Sequence, residues 1–124
     1  MKFVAESVIE SIIDRASEEV DEQIMQIRES QPVLLAYLVS EQFELLTEQE
    51  KAYLIYLAWV LHEATQEVIP RDTLIEEDDI GQAEEANWTL VETGNKKDFR
   101  ALLDPFFATT DQEDLLAFIE DALT

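Results

Sequence analysis

His62-Glu63-Ala64-Thr65-Gln66 stands one residue short of the helix motif used by zinc proteases. In that motif two histidines four apart converge on one metal, and the glutamate between them acts as general base. Here Gln66 takes the second histidine's place, an amide is a poor zinc ligand, and His62 is the only histidine in the chain. His62, Glu63 and Gln66 are therefore expected to be a polar group on a helix flank with ordinary hydrogen bonds. A single histidine also rules out the paired Glu-x-x-His sites of di-iron bundles. Any serine nucleophile would have to use His62 as its base, and that residue sits in a strongly apolar stretch.

Other catalytic equipment is equally sparse. Gly81 and Gly94 stand alone, which excludes a phosphate-cradling loop and a dinucleotide fingerprint. Glu76-Glu77-Asp78-Asp79-Ile80-Gly81 has the acid density of a calcium loop. With Gly81 as the loop's sixth residue, however, the fifth is Ile80 and the twelfth Asn87, where Asp or Asn and Glu are needed. Asp78 or Asp79 is expected to cap the next helix instead. Among 29 acidic residues no pair can be singled out for acid–base work, because geometry decides such roles before pKa does. No catalytic residue, metal ligand or cofactor is assigned.

The charge balance says more about partners. Twenty-nine acids face eight bases, for a net charge of −21, on a chain that is 47% hydrophobic. Phosphate backbones and anionic membrane surfaces are bound through excess Lys and Arg, so neither nucleic acid nor membrane is an expected partner. The absence of cysteine excludes a disulfide framework. The opening Met1-Lys2-Phe3-Val4-Ala5-Glu6 turns acidic at once and lacks the apolar core of an export signal. The apolar runs at 33–39 and 52–61 fall well below the roughly 20 residues of a membrane span. A cytoplasmic location is the expectation.

Apolar residues recur at helical spacing through almost the whole length, which predicts an all-α fold. A first helix is predicted over about 3–29, with Val8, Ile9, Ile12, Ile13, Ala16, Val20, Ile24 and Ile27 on one stripe. Ser30-Gln31-Pro32 ends it. A second helix is predicted over about 32–46, with Leu34, Leu35, Leu38, Leu45 and Leu46 inward. Thr47-Glu48-Gln49-Glu50 reads as a capping box that starts a third helix reaching about residue 67. That helix is apolar all round in its first half, the mark of a central or doubly covered rod. A fourth is predicted over about 79–93, although Trp88-Thr89-Leu90-Val91-Glu92-Thr93 also suits a strand. A short helix at 98–103 should stop before Asp104-Pro105. Thr110-Asp111-Gln112-Glu113 reads as a second capping box for a final helix.

These segments predict a compact bundle of five to six helices, one or two of them short, in a single acidic domain over 1–124. At this mass the surface scaling law gives roughly 6,800 Å² of accessible area. The acid is spread along every quarter of the chain and not gathered in a tail.

Trp88 falls off the inward stripe of its helix, and Val33, Tyr37 and Val39 crowd the outer side of the second. Exposed aromatic and apolar residues mark interaction surfaces unless neighbouring helices cover them. If they stay uncovered, a homodimer is the simplest consequence. Lys96, Lys97 and Arg100 form the one basic cluster, suited to an acidic partner or to the chain's own carboxylates. The leading reading is a non-catalytic interaction or regulatory domain whose acidic helical surface engages another, plausibly basic, protein. Two alternatives remain open: a nucleic-acid mimic that blocks a DNA- or RNA-binding protein, and a small carboxylate–histidine enzyme or divalent-metal binder.

Overall fold

The computed structural model describes residues 3–15, 20–70, 74–93 and 97–123. In it, Thr47 and Glu50 form the reciprocal cap expected of them. The Glu50 amide donates to the Thr47 hydroxyl at 3.1 Å, and the Thr47 amide donates to the Glu50 carboxylate at 2.8 Å. From this cap runs the longest helix, Glu48–Val68. Three helices precede it: α1 (Glu6–Arg15), α2 (Val20–Ser30) and α3 (Pro32–Leu38), so the long helix is α4. Three follow: α5 (Glu77–Thr93), α6 (Phe99–Thr109) and α7 (Glu113–Leu123). A 3₁₀ turn, Glu41–Phe43, links α3 to α4, and the described residues contain no strand.

The amphipathic stripes explain how these rods assemble. Ile9 and Ile12 of α1, Ile27 of α2 and Leu35 and Leu38 of α3 are buried against Ile55, Trp59, Val60 and Ala64 of α4. Val4, just before α1, is also fully buried in this cluster. α1 and α2 both pack along α4. The remaining contacts run in series and close a ring: α2 packs on α3, α3 on α5, α5 on α6, α6 on α7, and α7 returns to α1.

Polar ties hold the ring together. The Trp59 indole N–H donates to Gln26 Oε1 at 2.6 Å, joining α4 to α2. Buried Gln31, between α2 and α3, accepts from the Ile75 amide at 2.7 Å and anchors the segment leading into α5. At the other end the amides of Val4 and Glu6 donate to Gln112 Oε1 and Asp114 Oδ2, at 2.9 and 2.8 Å. Orienting these donors into side-chain acceptors fixes the chain's start against α7. A buried amide left without such a partner costs about 1–3 kcal/mol.

Several elements differ from expectation. Among the described residues seven α-helices stand where five or six were predicted. The expected single rod over 3–29 is described as α1 and α2, and residues 16–19 lie outside the described residues. The second helix stops at Leu38, so Leu45 is 95% exposed and does not face inward. Residues 88–93 are helical. α6 continues through Pro105 to Thr109, because Leu103 and Phe106 both find apolar neighbours and that packing outweighs the lost backbone bond. Thr110 consequently ends α6, its amide bonded to the Phe106 carbonyl at 3.0 Å, and α7 begins at Glu113 without the predicted box. Asp78 and Asp79 lie inside the first turn of α5, which starts at Glu77 and not at 79; the Asp79 carboxylate accepts from the preceding Glu76 amide at 2.9 Å. The proposed stop at Gly94-Asn95 lies outside the described residues.

Gly81 sits inside α5 without a positive φ, and a Cβ there would meet nothing within 4 Å. Gly81→Ala is therefore expected to stabilise the fold by about 0.5–1 kcal/mol, through reduced backbone entropy of the unfolded chain. Urea titration of the two proteins checks this. An unchanged or lower midpoint would show that the glycine is required where it stands.

Candidate functional site

α4 is not covered on both sides, as its all-round apolar character had suggested. One side packs on α1 and α2, and the other floors an open groove of about 630 Å³. The floor is a continuous stripe at helical spacing: Glu50, Tyr53, Leu54, Leu57, Ala58, Leu61, His62 and Thr65. Fifteen residue steps at 1.5 Å each make it about 22 Å long. Leu34 and Leu38 of α3 form one wall, and Ile119 and Leu123 of α7 the other. Leu46 and Ile75 lie at its margins.

The rim is unusually greasy for a surface so acidic. Leu123 is 54% exposed and Tyr53 42%. Leu45 and Leu74, the sequence neighbours of Leu46 and Ile75, are also exposed. The Tyr53 hydroxyl donates to the Ala122 carbonyl at 3.0 Å, and its ring stacks on Tyr56 with centroids 6.2 Å apart. This strut holds α7 beside α4 at one end of the groove.

His62 is half-buried in the groove floor, and burial pushes its pKa below the ordinary value of 6.5, with Glu63 partly opposing the shift. The folded chain therefore binds this proton less readily than the unfolded chain. Its contribution to stability is complete above about pH 6.5 and is lost as pH falls through the lowered folded value. His62→Gln is expected to flatten the stability–pH curve between pH 7 and 5, as read from urea midpoints. Since the chain has no second histidine, an unaltered slope in the variant would contradict the burial argument.

Among the described residues no group of three His, Asp or Glu side chains is placed to hold an ion. His62 and Thr65 line the groove, whereas Glu63 and Gln66 do not.

The residues expected to form an interaction surface divide into two sets. Val33 and Tyr37 of α3 face α5 across a second, narrower cleft, and Trp88 of α5 lines its continuation. Trp88 is 61% exposed, and Tyr37 and Val33 are partly buried. Val39 is exposed and Lys97 lies at the entry to α6, but neither lines the cleft. Arg100 is engaged within the molecule, bonded to Glu120 of α7 at 2.8 Å. Lys96 lies outside the described residues.

Sequence reasoning did not single out Leu54, Ala58 and Leu61 of the groove, nor Phe43 and Glu84 of the cleft. The available signal was the excess of apolar positions on α4, more than one packed face requires. No helix of the described residues is long and apolar enough to cross a membrane. Compared with models of protein families, with curated proteins and with solved structures, the chain matches none.

Proposed function

We propose that this chain is a non-catalytic protein-interaction domain that receives an amphipathic helix of a basic partner protein in the groove over α4. The observation that carries this reading is the half-covered α4 stripe that floors the groove. It offers apolar side chains at i, i+3, i+4 and i+7 from Tyr53 to Leu61, over about two turns, the spacing that a second helix's apolar face complements. Exposed Leu123 and Tyr53 at the groove's edge argue for a helix over a small molecule, which would leave them in water. The net charge of −21 argues for a partner rich in Lys and Arg on its polar face, and against a second copy of the same acidic chain.

A 16-residue peptide of leucine and lysine, with leucines at helical spacing, is a suitable probe. Non-specific attraction to an acidic protein must be separated from docking, and Ala58→Glu does so. It adds negative charge, so simple attraction would strengthen, whereas groove docking should weaken at least tenfold. Leu123→Glu on the exposed rim should act in the same direction. Calorimetric titrations in which both variants bind the peptide as well as the parent, or better, would overturn the proposal.

A further inference from the structure

The second cleft has a chemistry of its own. Tyr37 and Phe43 meet edge to face, ring centroids 5.3 Å apart and planes at 89°, so together they present two perpendicular aromatic walls. Trp88 lines the same pocket of about 410 Å³ from α5 and pairs with neither ring. Glu84, one turn before Trp88 on the same helix, completes the lining on that side. Burial, and next the charge of the neighbouring Glu84 carboxylate, raise the Tyr37 pKa. The phenol therefore stays neutral, with a carboxylate close to its ring.

We propose that Tyr37, Phe43, Trp88 and Glu84 form an aromatic cage for an alkylated ammonium group, such as a methylated lysine side chain or a free quaternary amine. Three aromatic faces attract a cation through their quadrupoles, most strongly when the cation is poorly hydrated, and methylation weakens ammonium hydration. Glu84 supplies a compensating charge. The pocket continues past Tyr37 into a neighbouring compartment walled by Val33, with Gly81 leaving open space on α5. An alkyl stem attached to the ammonium would lie there. The buried Ser40 hydroxyl in that compartment has no hydrogen-bond partner among the described residues and is free to bond a polar atom of the occupant.

The cage is independent of the α4 groove, so either site can fail its test without affecting the other. The probes are choline, its neutral carbon isostere 3,3-dimethylbutanol, a short peptide containing trimethyllysine, and the same peptide with plain lysine. Nuclear magnetic resonance should show saturable shifts of the Trp88 indole with choline and with the trimethylated peptide, and at least tenfold weaker binding of the isostere and of plain lysine. Trp88→Ala and Glu84→Gln should each weaken binding about tenfold or more. Trp88 is largely exposed and glutamine matches the size of Glu84, so both variants are expected to fold. A peptide that binds at least ten times tighter than choline would support the cage and identify the source as protein-borne; equal affinities would support it and point to a free amine. Equal binding of choline and its neutral isostere, or no saturable response at Trp88, would overturn the assignment.

Discussion

Val60→Asp is expected to abolish the cooperative fold. Val60 is completely buried on α4, within the cluster formed by Ile9, Ile12, Ile27, Trp59 and Ala64. An aspartate there must either carry a charge into an apolar interior or remain protonated with unmet hydrogen bonds. Either state costs upwards of about 4 kcal/mol, a large share of the 5–15 kcal/mol that stabilises a typical domain. Loss of the near-ultraviolet circular dichroism signal and of a sharp melting transition would register it. Ile12→Ala, which only removes volume from the same cluster, should cost about 2–5 kcal/mol and leave a folded protein with a lowered midpoint. The informative comparison is Ala58→Asp. Position 58 lies about 200° around α4 from position 60, in the open groove, and a carboxylate there can reach water. Ala58 is half-buried, so the cost there should be about 1–2 kcal/mol, well below that at position 60. Similar damage at positions 58 and 60 would mean that α4 has no open side.

Raising sodium chloride from 10 to 150 mM is expected to lift the melting temperature by about 10 °C. An accessible surface of 8494 Å² shared among 21 excess negative charges places them roughly 20 Å apart. That area is about a quarter above the sequence-based scaling value, in keeping with the open grooves. At 10 mM the screening length is about 30 Å, so neighbouring charges repel; at 150 mM it is about 8 Å and they barely do. Each pair at that separation in water is worth about 0.2 kcal/mol before screening. Summed over neighbours and reduced by the repulsion that persists in the unfolded chain, the effect is a few kcal/mol, or about 10 °C. Few ion pairs offset it. Those between Arg15 and Glu67 and between Lys51 and Glu48 are solvent-exposed and individually weak. Melting curves that superimpose across this salt range would show that the carboxylates are neutralised by something other than mobile ions.

The local elements were largely legible because their signals are local. Thr47 and Glu50 lie three residues apart, and the box they form is read by counting. Ile9, Ile12 and Ile27 lie on stripes whose period needs no tertiary information. Errors arose where a local rule met a distant partner. Pro105 reads as a helix stop, yet α6 carries on through it because Leu103 and Phe106 are held by other elements. Leu45 reads as inward-facing, yet the chain leaves helical geometry at Leu38 and carries it into solvent.

Composition and periodicity by themselves determined that this chain is helical, acidic on its surface, and short of the residue sets that most enzymes and metal sites require. They also marked Tyr37 and Trp88 as unusual, since an aromatic side chain off its helix's inward stripe is visible in one dimension. Only the tertiary structure decided that these two residues line one cleft with Phe43 and Glu84, and that the apolar excess of α4 floors an open groove. The reason is physical. A stripe specifies which side of a helix avoids water, but which neighbour covers it depends on packing angles and loop reach, and those are set by the whole assembly.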